Sequence, residues 1–263
     1  MGTYEIDIFN ETRKLYSILY KKETKELKRT HTTVYSNPIE RSQLNYKPNP
    51  GMVVRVVNSG TVNTGRELAK NGKTAILNFA DAITPGGLVL YGETTQEENI
   101  CRCSNLYASL TTKKADKNYY TVNRLSHSGG IYTDTLIYSE DVLFFRDDIT
   151  YKIVEPYKMD VITCPAPSIR IFNSDEEYRT LYHRIEKIVR SAVLHGVDNL
   201  VLGAWGCGAF GQNPVIVSSC FNEVVHRHKA FKNVIFAIRD CNADLYSGTS
   251  SNYRLFKTRI LET

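Results

Sequence analysis

The stretch Thr74-Ala75-Ile76-Leu77-Asn78-Phe79-Ala80-Asp81-Ala82-Ile83-Thr84-Pro85-Gly86-Gly87 is followed, after an eight-residue spacer, by Gln96-Glu97-Glu98. Residues 74–79 carry Ala75, Ile76, Leu77 and Phe79, apolar on both faces as in a strand covered on both sides. The strand runs out into a proline–glycine turn, where main chain without a Cβ approaches a ligand closely. Two adjacent carboxylates then stand at a predicted helix start. Glycines for an anion and acids for proton transfer predict a site that holds a phosphate-bearing molecule and cleaves something attached to it.

On either side of this stretch, strand-like and helix-like segments alternate. Met52–Val57 reads as a strand and Thr64–Asn71 as a short helix closed by Gly72. Gln96–Leu110 reads as a helix, and the polar residues 111–130 as a long surface excursion. Leu136–Ser139 and Val142–Arg146 read as two short strands, and Asp160–Cys164 as a stronger one ended by Pro165-Ala166-Pro167. Residues 175–195 carry Leu181, Ile185, Ile188 and Ala192 at helical steps, with Gly196 as the expected C-cap. Asn199–Ala204 is a strand, Pro214–His228 a helix with proline in its first turn, and Asn233–Arg239 the last strand. The alternation predicts a three-layer α/β fold with a mainly parallel sheet.

The first fifty residues are read differently. Residues 10–28 look helical, capped by Asn10 or Thr12, with Leu15, Ile18 and Leu19 as the apolar stripe. Residues 29–50 are turn-rich, with a short strand at Thr32–Tyr35. This region packs little core by itself, so 1–50 is expected as an accessory segment on a catalytic domain of residues 51–263. Of the 263 residues 42% are hydrophobic and 23% charged, enough for a packed core and against wholesale disorder. The net charge of +5 is compatible with a polyanionic ligand and decides little. Six cysteines fall in no metal-type spacing, so no metal is expected, and their apolar settings suit reduced thiols. No segment reads as a signal peptide or membrane span. The protein is therefore expected to be intracellular and cytoplasmic, or nuclear if the source is eukaryotic.

Ligands in such sheets sit beyond the carboxyl ends of the strands. Three strand ends carry unusual residues: Pro85-Gly86-Gly87, Pro165-Ala166-Pro167-Ser168, and the run from Gly203 to Gly211. The last holds four glycines in nine residues and leads to a helix N-terminus, a form suited to phosphate. It lacks the Gly-Lys-Ser/Thr of a P-loop and the position of a dinucleotide fingerprint. From glycine content alone a ligand loop and a tight strand-to-helix turn both stand; Phe210 inside the run favours ligand contact. For Gln96-Glu97-Glu98 the plain alternative is a solvated helix start. The glycine turn before it, and Ile100, Leu106 and Leu110 after it, favour a site instead. Trp205 reads as a packing residue and Lys113–Lys117 as a solvated loop.

NFADAITPGGLVLYGETTQEENICRCSNLYASL resembles the signature of microbial-type poly(ADP-ribose) glycohydrolases, in the macrodomain superfamily. The resemblance continues in order through IYSEDVLFFRDD, VITCPAP, LGAWGCGAFGQNP and FAIRD. It implies a macrodomain-like mixed sheet with an N-terminal accessory segment, no cofactor, and ADP-ribose or its polymer as partner, carried on modified protein or nucleic acid. Position by position it implies that Glu98 protonates the leaving ribose oxygen and then activates water. Glu97 grips the ribose hydroxyls, Gln96 completes the loop and Asn78 meets the ribose. Gly86 and Gly87 line the phosphate turn. Gly206, Cys207, Gly208 and Ala209 form the second diphosphate loop, and Phe210 orients the terminal ribose.

Two positions depart from the family's pattern. Leu88 stands where a third glycine is usual, and Asp81 where a small serine is common. Both bear on the phosphate turn. The function expected is therefore hydrolysis of the ribose–ribose O-glycosidic bond of poly(ADP-ribose). The alternatives are hydrolysis of single ADP-ribose units on protein or nucleic acid, and a non-catalytic ADP-ribose reader.

Overall fold

The computed structural model describes residues 3–126, 129–168, 174–240 and 251–263. In chain order the helices are α1 (Thr3–Ile18), α2 (Lys21–Arg29), α3 (Thr61–Ala69), α4 (Gln96–Cys103), α5 (Leu106–Leu110), α6 (Lys113–Ala115), α7 (Thr121–Leu125), α8 (Ser174–Leu194), α9 (Pro214–His228) and α10 (Asn252–Arg259). A π-helical turn, Asp116–Tyr120, joins α6 to α7. The strands are β1 (Thr32–Tyr35), β2 (Val53–Val57), β3 (Thr74–Phe79), β4 (Leu136–Arg146), β5 (Ile153–Cys164), β6 (Asn199–Leu202) and β7 (Asn233–Ala237).

The chain divides into two compact units. The first comprises Met1–Asn37, Asn78–His127 and Tyr132–Pro165. Its strands run in the order β1-β4-β5, all antiparallel, with Thr32 opposite Ser139 and Tyr138 opposite Ile162. The two short strands expected at 136–146 are one, because a bulge between Ser139 and Val142 carries the chain through Glu140 and Asp141 without ending it. Helix α1 begins seven residues before the expected 10–28 helix, and the chain breaks at Leu19 and Tyr20 before α2. Its buried face is Ile8, Phe9, Thr12 and Tyr16, while Ile18 and Leu19 are exposed, so the expected stripe lies about one residue out of phase with the buried one. Tyr16 packs with Ala108, Leu143 and Phe145, which seats α1 on α5 and β4. The helix expected at 96–110 is two, since Ser104 leaves helical geometry to bridge Phe144 on β4.

Residues 111–125 are not a surface excursion. They form α6, the π-turn and α7, and they bury Ala115, Tyr119, Tyr120 and Asn123. Thr112 caps α6 by accepting from Ala115 N at 3.2 Å.

The second unit comprises Pro38–Leu77, Ser128–Ile131 and Ala166–Thr263. Its strands run β3-β6-β7-β2, all parallel, with Ala75 beside Leu200, Leu200 beside Val234 and Val54 beside Val234. Every residue of β6 is buried, as expected of a strand covered on both faces. Helix α9 starts on Asn213, whose side chain accepts from Val215 N at 3.0 Å, with Pro214 in its first turn. The tail after α10, itself not foreseen, lies along β2: Glu262 Oε1 accepts from Val56 N at 2.7 Å and Thr263 Oγ1 from Val54 N at 3.2 Å. These contacts occupy the edge of β2, which would otherwise offer unpaired main chain. Cys241, counted among the scattered cysteines, lies outside the described residues; Cys101, Cys103, Cys164, Cys207 and Cys220 are free thiols.

Candidate active site

The first unit builds one cluster around the end of β3. Asn78 and Phe79 are its last two residues, and both reach the start of α4. Phe79 N donates to Gln96 Oε1 at 2.8 Å. Asn78, fully buried, donates from Nδ2 to Glu97 Oε1 at 3.1 Å and to Thr163 Oγ1 on β5 at 3.2 Å. Gln96 is thus a tie between strand end and helix start.

Glu97 and Glu98 are 2% and 4% exposed, so the pair is not a solvated helix start. Glu97 Oε2 accepts from Asp81 N at 2.7 Å. Burial pushes the Glu97 carboxyl well above the ordinary glutamate range, with the neighbouring Glu98 and Asp81 acting in the same direction. The hydrogen bonds from Asp81 and Asn78 oppose that rise and do not cancel it. Glu98 is held from two sides: Oε1 accepts from Leu88 N at 2.9 Å, and Oε2 accepts a short hydrogen bond from the Thr95 hydroxyl. Thr95-Gln96-Glu97-Glu98 has the spacing of a capping box. Here the threonine donates to the glutamate and orients it.

The glycine turn is shaped to these acids. Gly86 and Gly87 have φ of +70° and +58°. A Cβ on Gly87 would lie 2.3 Å from Glu98 Oε1 and 3.2 Å from Glu97 Oε2. One on Gly86 would lie 2.8 Å from the Tyr107 ring. Tyr107 in turn meets Phe9 of α1 edge-on at 5.1 Å between centroids, and Thr12 Oγ1 donates to Arg102 O at 2.7 Å. The N-terminal helix therefore braces both the turn and α4 from below.

Both departures from the family's pattern are accommodated. Leu88 has φ of −101°, open to any side chain, and is 46% exposed, so it interrupts the glycine run without strain. The Asp81 carboxylate accepts from Ile83 N at 2.7 Å and Thr84 N at 2.8 Å. It is spent on closing an Asx turn ahead of the glycines.

The other predicted residues lie in the second unit. Gly206 has φ of +77°, and a Cβ there would lie 2.6 Å from Ala166 Cβ, so the Gly206–Phe210 loop is packed against the Ala166–Ser168 turn. Gln212 Nε2 donates to Pro167 O at 2.8 Å, and Gln212 N to Gly206 O at 2.9 Å. Gly208 and Ala209 are exposed and Phe210 half-buried. Burial raises the Cys207 thiol to about 12, and Trp205 is buried edge-on against Phe221. The residues not anticipated are Thr95, Thr163 and Tyr107. Thr95 was open to detection as the first position of the capping box; nothing in the sequence marks the other two. Among the described residues no group of three or more His, Cys, Asp or Glu side chains is placed to hold a metal ion. No described helix is long and apolar enough to cross a membrane.

Two buried acids lie against a glycine turn on an α/β scaffold, an arrangement able to move protons at a sugar bond, as glycoside hydrolases do. A family model described as the microbial-type PARG catalytic domain matches residues 9–147. The poly(ADP-ribose) glycohydrolase (PARG) of Thermomonospora curvata is 30% identical, with a TM-score of 0.85 over 98% of this chain and 100% of that one. The same enzyme bound to the inhibitor ADP-HPD gives a TM-score of 0.82 at 30% identity, covering 98% of this chain and 100% of that one. The PARG of Deinococcus radiodurans in complex with ADP-ribose gives 0.78 at 31% identity, covering 90% of this chain and 96% of that one. No curated protein matches the chain. The chain belongs to the microbial-type poly(ADP-ribose) glycohydrolase family.

Proposed function

We propose that this member of the family hydrolyses the ribose–ribose bond of poly(ADP-ribose) with Glu98 as acid and base and Glu97 as the holder of the ribose. The observation that carries this reading is the clamping of Glu98 between Leu88 N–H and the Thr95 hydroxyl, beside a glycine whose Cβ would displace it. Cleavage passes through an oxocarbenium-like state. Glu98 delivers a proton to the leaving ribose oxygen, and the carboxylate that results stabilises the developing positive charge. It then takes a proton from water as the water attacks. Glu97, beside Asn78, accepts from the ribose hydroxyls. The main chain at Gly86 and Gly87 meets the diphosphate without side chains in the way. Gly206, Cys207, Gly208 and Ala209 are assigned to the second diphosphate contact, and Phe210 to the terminal ribose, on their loop-to-helix form and the family's pattern. The polymer is carried on modified protein or nucleic acid, and the enzyme works in the cell interior.

The test is time-resolved release of ADP-ribose from polymer and from mono-modified protein and DNA, with Glu98→Gln alongside. The expected result is release from polymer by the wild type and loss of at least about a hundredfold in the variant, the scale of a general acid–base contribution. Unchanged turnover by Glu98→Gln would sink the assignment. Activity confined to mono-modified substrates would move the enzyme to single ADP-ribose units.

A further inference from the structure

Asn78 and Thr163 are each the last residue but one of a strand, β3 and β5, so both stand at a carboxyl end, where ligands of such sheets gather. Both are fully buried. Thr163 lies between Ile162 and Cys164, buried like itself, and pairs with Ile137 of β4. Valine has nearly the same shape and suits such a strand, so a hydroxyl here carries a desolvation cost that a partner must offset. That partner is the amide of Asn78, whose Nδ2 donates to Thr163 Oγ1 at 3.2 Å. The chemistry above makes no use of Thr163.

The same Nδ2 donates to Glu97 Oε1 at 3.1 Å. An amide nitrogen carries two hydrogens, so both are spent, one on each neighbour. The terminal torsion of asparagine is broad, and a single hydrogen bond leaves the amide able to swing about it. Two acceptors on different elements, α4 and β5, fix its plane. Asn78 Oδ1 has no hydrogen-bond partner among the described residues, so the amide is not held from that side. Thr163 is thus the fixed post from which Asn78 aims a donor at Glu97. The other oxygen of Glu97 takes a main-chain donor, Asp81 N at 2.7 Å, which the backbone itself holds.

To accept from ribose hydroxyls Glu97 must be a carboxylate held in one place, and a buried carboxylate depends on its donors for both. We propose that Thr163 is a positioning residue, which holds the Asn78 amide in the plane that presents its N–H to Glu97 and so keeps the ribose-gripping carboxylate charged and aimed. This rests on the assignment of Glu97 to the ribose. Glu98 lies outside this chain of bonds, since its oxygens take the Leu88 N–H and the Thr95 hydroxyl. Thr163 therefore bears on the hold on the ribose and leaves proton transfer alone.

Thr163→Val removes the hydroxyl and keeps the shape; Thr163→Ser keeps the hydroxyl. Steady-state kinetics on poly(ADP-ribose) against pH, with ADP-ribose affinity by calorimetry, read the difference. Thr163→Val should raise KM and weaken ADP-ribose binding by about tenfold, the weight of one hydrogen bond to a charged group, with kcat within about threefold of wild type. The acidic limb of kcat/KM should move to higher pH, since a poorly aimed donor disfavours the carboxylate. Thr163→Ser should restore affinity and limb together. In an Asn78→Ala background Thr163→Val should cost no further affinity, because its effect passes through that amide. Should Thr163→Val not fold, Thr163→Ala carries the same expectations. Wild-type KM with an unmoved limb would overturn the proposal, and so would a loss confined to kcat, a serine variant no better than valine, or losses that add in the Asn78→Ala background. A wild type that releases no ADP-ribose, or a Glu97→Gln variant that binds it as well as wild type, would defeat the functional reading instead. A wild type that turns over, with Thr163→Val indistinguishable from it, would defeat this inference alone.

Discussion

The main-chain N–H of Leu88 donates to Glu98 Oε1 at 2.9 Å, so the residue that interrupts the glycine run is also one that holds the acid. Its main chain serves the site, while its side chain stands 46% exposed. Leu88→Gly should therefore keep kcat/KM within about threefold. It should cost about 0.5–1 kcal/mol of stability through the freer unfolded chain. Turnover on polymer and denaturant unfolding check the two halves; a loss beyond about tenfold would mean that the side chain itself meets substrate.

Gly87→Ala should behave in the opposite way. At φ +58° an L side chain costs about 1–2 kcal/mol, and its Cβ would stand 2.3 Å from Glu98 Oε1. Displacing the acid by about an ångström is enough for a hundredfold loss. Steady-state kinetics should show that loss in kcat with Tm only a few degrees lower.

Asp81→Ala removes the acceptor for two main-chain donors, Ile83 N and Thr84 N. Stability should fall by about 1–2 kcal/mol. Asp81→Ser should restore most of that, because a serine hydroxyl closes the same type of turn. Chemical unfolding of the two variants side by side is the measurement, and equal losses would refute the account.

Glu97 gives stability a pH dependence of defined sign. Its folded value lies well above the ordinary 4.5 because burial favours the neutral acid. Between 4.5 and that raised value the folded chain keeps a proton that the unfolded chain has released. Its contribution is therefore whole below 4.5 and is lost as pH rises through this window. Glu97→Gln has no such loss, so its Tm should gain on the wild type as pH rises. Tm curves that stay parallel would contradict this.

Phe9→Ala tests whether α1 braces the site. Emptying that position should cost about 3–5 kcal/mol. It should also lower turnover at temperatures where the variant is still folded, because Tyr107 loses its edge-on neighbour beneath Gly86. Full turnover in the folded variant would confine α1 to stability.

The features legible in the sequence had a local cause. Strand β3 and helix α9 fall where the apolar run and the Pro214 start put them. Gly86, Gly87, Glu97 and Glu98 come together because one turn and one helix start place them within a short stretch of chain. The bulge in β4 and the break at Ser104 were invisible, since each answers a partner distant in sequence. The phase of α1 was misjudged because Leu15, Ile18 and Leu19 are apolar yet lie largely away from its buried face. Residues 111–125 were lost for a sharper reason. Lysine, threonine, asparagine and aspartate supply nine of the fifteen, and the buried tyrosines follow a π-turn that escapes the helical period.

That π-turn also decides how the chain absorbs a change of length. A π-turn closes over one more residue than an α-turn for about the same sweep of helix. Removing one residue between Asp116 and Asn118 would close the segment as ordinary α-helix and leave α7 facing as it does here. The same removal from an unbulged helix would turn everything downstream by roughly 100°. One residue of slack is therefore stored at this place, and the face that α7 presents survives its loss.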